Sequence, residues 1–155
     1  MFLKSSLPLS LAALLVLSLS TAACGDDDDD NGDNGNNGDH SQVQSVASDD
    51  GHFEATFEPD PDPPVSGDNA VTLSLVDGDG DPVEGAELTV EPWMPGHGHG
   101  SPTEEDIEAH STDDDGVYHI HNINYNMGGF WELHVDVSGD DLPDDRVTAE
   151  FDVQS

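Results

Sequence analysis

The residues best suited to chemistry lie in Trp93-Met94-Pro95-Gly96-His97-Gly98-His99-Gly100, where a thioether and two imidazoles are interleaved with glycine. Glycine lets the backbone fold tightly enough for neighbouring side chains to converge, and methionine with histidine favours copper over hard cations. More ligand types follow at His119, His121, Met127 and His134. If Trp131, Leu133 and Val135 face a core, the strand alternation turns Phe130, Glu132 and His134 outward; Tyr118 and Ile120 inside would turn His119 and His121 outward too. A hairpin through Asn124 to Gly129 would then set His119 or His121 across from His134, and such imidazoles with Glu132 would suit zinc or copper(II). The structural alternative has Met94 capping the core beside Trp93, Met127 packed under a hairpin, and the outer histidines on a solvated strand face.

Other motifs resolve differently. Asp77, Asp79 and Asp81 begin like a calcium loop, but Pro82 replaces the glycine of its sharp turn and Leu88 stands where a bidentate glutamate belongs, so a hairpin turn is expected. No serine sits in a nucleophile-elbow context, and no carboxylate pair stands out from the acidic background. No catalytic residue is identified, and an enzyme is not expected.

The elements that would position these side chains are strands. Beyond Gly51 the apolar period is two: Phe53, Ala55 and Phe57; Val71, Leu73 and Leu75; Ala86, Leu88 and Val90; a short run at Ile107; Val117 to Ile123; Trp131 to Val137; and Val147 to Val153. With turn signals between them, about seven antiparallel strands give an all-β, immunoglobulin-like sandwich over residues 51–155.

Residues 1–23 have the layout of a secretion signal, with Lys4, an apolar run from Leu7 to Leu19, and Ala22-Ala23 before Cys24. Thr21-Ala22-Ala23-Cys24 resembles the lipobox of bacterial lipoproteins, which implies acylation of Cys24. The stretch 24–50 is rich in Asp, Asn and Gly and is expected to be a disordered tether, since it has almost nothing apolar to bury. The formal charge is −33, from 35 acids against two bases, and Arg146 is the only lysine or arginine after Lys4. Such a chain has no basic patch for phosphates, so nucleic acid is excluded as a partner. The same charge concentrates cations near its surface.

Met94-Pro95 followed by Gly98-His99-Gly100, then Tyr118, then Asn126-Met127-Gly128-Gly129-Phe130-Trp131-Glu132-Leu133 resembles the YtkA-like domain, over roughly Ala70 to Val137. The resemblance implies an immunoglobulin-like sandwich of bacterial envelope proteins, akin to FixH and CopC-like domains, that handles copper. It implies Met94, His99 and Met127 as recurrent site positions. His97 stands where the family has a second methionine, which would make this site richer in nitrogen and less selective for copper(I). The expected protein is therefore a lipid-anchored envelope lipoprotein, in the periplasm or at the cell surface. It would bind copper, with zinc as the other candidate ion, through Met94, His97, His99 and Met127, and deliver it to an accepting envelope protein. The rival expectation is a metal-free structural or interaction module of the same fold.

Overall fold

The computed structural model describes residues 41–155. The expected signal, Cys24 and the tether as far as residue 40 lie outside the described residues.

Among the described residues nine strands form two antiparallel sheets. They are β1 (Gln44–Ala47), β2 (Phe53–Asp60), β3 (Gly67–Asp77), β4 (Glu87–Met94), β5 (His99–Gly100), β6 (Glu108–Ser111), β7 (Val117–Tyr125), β8 (Gly129–Gly139) and β9 (Leu142–Val153). One sheet has the order β1-β2-β3-β7-β6 and the other β5-β4-β8-β9. Taken along the chain, β2, β3, β7 and β6 are the ABED sheet of the constant-type immunoglobulin fold, and β4, β8 and β9 are its CFG sheet. β1 and β5 are additions at the two sheet edges.

Period-two patterning makes the core. In β8 every second residue from Trp131 to Val137 is buried, and β9 does the same from Val147 to Val153. Trp131, Tyr125, Phe57 and Phe151 are the largest fully buried side chains. The seven apolar runs read from the sequence all fall in or beside strands, with one adjustment: Ile107 ends a single 3-10 turn (Glu104–Asp106), and β6 starts at Glu108. The Asp77–Asp81 segment is a turn, closed by an isolated Val76–Pro82 bridge, but it joins no hairpin of β3 and β4, which lie in different sheets. The Asp77 carboxylate accepts the N–H groups of Asp79 and Asp81, both at 2.9 Å, which commits it to its own backbone.

The tether expectation needs correction at its C-terminal end. Gln44–Ala47 is a strand paired with β2, so the folded unit begins before Gly51. The physical reason lies in two glutamines. The Gln44 amide donates to the Glu150 carbonyl at 2.7 Å and accepts the Glu150 N–H at 3.0 Å. Gln42 repeats the pattern with Asp152, at 2.9 and 2.7 Å. Side chains thus imitate a backbone ladder along the free edge of β9, a polar solution that a search for apolar periodicity overlooks.

The turn after β1 is fastened by Asp145. Its nearly buried carboxylate accepts the N–H groups of Asp50 (3.1 Å), His52 (3.2 Å) and Arg146 (2.8 Å), and the His52 Nδ1 lies 3.0 Å away. Burial opposes the charge, but hydrogen bonds from Ser48 and from the backbone at Asp50, Arg146 and His52 outweigh it and hold the carboxyl well below the usual range. Arg146 itself pairs with Asp136 across β8 and β9, at 2.6 and 2.7 Å, and those hydrogen bonds lower the Asp136 pKa.

Candidate metal centre

β4 ends at Met94, and the chain turns back at once. The N–H groups of His97 (3.1 Å) and Gly98 (2.9 Å) both donate to the Met94 carbonyl, and Gly98 takes φ +68°, a conformation that suits glycine. The returning strand β5 sets His99 opposite Met94 and Gly100 opposite Trp93. The His97 and His99 rings then lie edge to face with centroids 5.7 Å apart, and His99 lies edge to face on Trp131 at 5.9 Å.

Trp131 ties in the fourth residue, since its indole N–H donates to the Met127 carbonyl at 3.0 Å. The Met94 methyl packs against Gly129, where a side chain would begin 2.8 Å from Met94 Cε, at a backbone φ of +129°. Met94 thus lies at Gly129 and His99 at Trp131, with His97 beside His99; of Met127 the backbone carbonyl is fixed by Trp131, and its side chain packs against the core. Met94 is buried, Met127 and His99 half-buried, and His97 exposed. Beneath them the Tyr125 ring packs on Trp131 at 5.2 Å; its buried hydroxyl has no hydrogen-bond partner, and burial raises its pKa.

The tautomer of His99 follows from its neighbour. His99 Nδ1 lies 2.9 Å from the Gly100 carbonyl, which can only accept, so Nδ1 carries the proton and Nε2 holds the free lone pair. A backbone carbonyl on one ring nitrogen is how ligating histidines are commonly oriented for a metal on the other.

The outer-face histidines separate. His119 and His121 do face outward on β7, but β7 and β8 belong to different sheets, so the 126–128 connection crosses the sandwich instead of closing a hairpin. His134 and Glu132 consequently stand on the opposite outer face, and His119 or His121 does not meet His134. Seen alone, the alternation gave the correct side of each strand and could not give its sheet. His134 instead pairs through Nε2 with Glu132 at 2.9 Å, while its buried Nδ1, 3.5 Å from Glu91, makes no hydrogen bond. A further histidine that the sequence reading missed, His110, pairs with His119 across β6 and β7. Its signal, outward residues flanking Ala109 in a strand of four, was too short to read.

Among the described residues, Asp50, His52 and Asp145 have ligand atoms within 4.8 Å of one another. The hydrogen bonds already made to Asp145 explain that cluster as a structural clasp.

The YtkA-like family model matches residues 45–136, a span that runs from β1 through the Met94–His99 segment into β8. The chain belongs to the YtkA-like family. Its match begins at Ser45, inside β1, in accord with a domain that starts ahead of Gly51. No curated protein matches the chain. Among solved structures, a DUF4426 family protein from Pseudomonas aeruginosa PAO1 is similar, with 14% identity and a TM-score of 0.50 over 73% of this chain and 96% of that one. At that identity the likeness concerns the YtkA-like fold alone.

Proposed function

We propose that this YtkA-like domain binds copper at Met94, His97, His99 and Met127 and passes it to an accepting envelope protein, while a lipid on Cys24 holds it at a membrane. What supports the metal reading most is His99: its Nδ1–H is committed to a carbonyl, its Nε2 is free, and the His97 ring lies beside it. The exposed His97 and half-buried His99 also suit transfer, because a partner can approach and exchange these ligands first. The long segment between Cys24 and β1 would widen the volume the domain searches.

One observation favours the rival, a metal-free interaction module. Met94 is only 6% exposed and its methyl fills the space above Gly129, as a core methionine would. The two readings part on ligand softness, since thioether sulfur serves copper(I) well and copper(II) or zinc poorly. The test is competition against a copper(I) chelator under reducing conditions near pH 7, with salt to screen the acidic surface. Met94→Leu with Met127→Leu, a swap that keeps volume, is expected to weaken copper(I) while leaving copper(II) nearly unchanged. His97→Ala with His99→Ala weakens both. Equal competition by wild type and the four-residue variant would establish the rival.

A further inference from the structure

The geometry points to a second metal site, for zinc or copper(II), on the outer face of the β6–β7 pair, built from His110, His119, His121 and Glu108. The antiparallel register places His110 directly opposite His119 and Glu108 directly opposite His121. The intervening Ala109 and Ile120 point inward, so these four side chains occupy the corners of one outward-facing patch. Directly paired residues have Cβ atoms about 5 Å apart. Histidines two apart on one strand share a face, and the His119 and His121 rings stack with centroids 5.8 Å apart and planes 7° from parallel. On the other strand, His110 Nε2 lies 3.6 Å from the Glu108 carboxylate.

Three imidazoles and a carboxylate are a nitrogen-rich donor set without sulfur, which selects borderline divalent ions over copper(I). All four side chains are exposed, so the rotamer changes that would draw their ligand atoms onto one ion meet no packing; the strands beneath keep the Cα frame fixed. That frame carries a further feature at His121. The pairing of β7 with β3 slips between Asn69 and Val71, and Asn122 takes φ +62°. A bulge there sharpens the local twist and re-aims the side chains beside it. The Asn122 amide donates to the Asp106 carbonyl at 2.9 Å, tying the bulge to the chain that leads into Glu108. Beside the patch, a cavity of about 480 Å³ is lined by Asp68, Thr103, Glu105, Asp106, Glu108 and Asn122. Its carboxylates raise the local cation concentration next to the imidazoles.

This site shares no residue with the loop centre, so it can be tested with that centre silenced. In a full chain carrying His97→Ala and His99→Ala, zinc is titrated calorimetrically in screening salt. One saturable zinc site is expected to remain. Adding His110→Ala, His119→Ala or His121→Ala should weaken it roughly tenfold or more in each case, and Glu108→Gln less, since each removes a ligand. Because these are exposed strand positions, the thermal midpoint without metal should hold steady and report that the fold is intact. The absence of saturable zinc binding in the loop-silenced chain, or unchanged affinity when all three histidines are replaced, would overturn the assignment. Failure of copper(I) binding at the loop leaves this titration unaffected.

Discussion

At Asp145 burial and hydrogen bonding pull the same carboxyl in opposite directions, and the hydrogen bonds win. Its folded-state pKa is depressed below the unfolded value of about 3.9. The ionised carboxylate therefore contributes stability at every pH above about 4, and that contribution fades as pH falls from there through the depressed folded value. Asp145→Asn should lower the thermal midpoint at pH 7 by roughly 5–10 °C, with the gap from wild type narrowing below about pH 4. A constant gap across that range would show that the residue matters for shape and not for charge. Residues of this kind resist sequence reading because their partners are remote: Asp50 and His52 lie 95 and 93 positions away. Met94, His97 and His99 were legible because glycine-rich spacing and chemistry sit in one contiguous run. Met127 needed the family pattern, and the strand carrying His110 was too short to read.

Elements show the same division. Strands with a buried face announce themselves through period two, and β2, β3, β7, β8 and β9 all did. Sheet membership is a long-range property: β7 and β8 are consecutive yet lie in different layers, which sends His121 and His134 to opposite outer faces. β1 was hidden because polar side chains, not apolar ones, join it to β9. Its removal has a measurable cost. A chain beginning at Gly51 should melt roughly 10 °C or more below one beginning at Gly25, since it loses the β1–β2 ladder and the glutamine bonds to β9. It should also self-associate, because the β9 edge is left open. Equal midpoints and a monomeric short chain would mean that β1 is decoration.

On the scale of the whole molecule, an acidic domain belonging to the YtkA-like family follows a sequence with a lipobox-like ending. No helix among the described residues is long and apolar enough to cross a membrane. If a lipid on Cys24 holds the protein at a membrane, as proposed, Cys24→Ser is expected to release it into the soluble envelope fraction, and retention in a salt-washed membrane pellet would contradict lipid anchoring. With −33 formal charges, weak cation uptake is general, so bulk affinity alone says little about where an ion sits. Local reporters remove that ambiguity. Of the three methionines, Met1 lies in the expected signal, so a chain beginning at Gly25 carries only Met94 and Met127. The most direct measurement is a nuclear magnetic resonance titration of methyl-labelled methionine in that chain with copper(I), which is diamagnetic. Both methyl signals should shift and saturate together at one equivalent, along with the ring signals of His97 and His99. Methionine signals that stay in place while only His110, His119 and His121 respond would contradict a copper centre at this end of the sandwich.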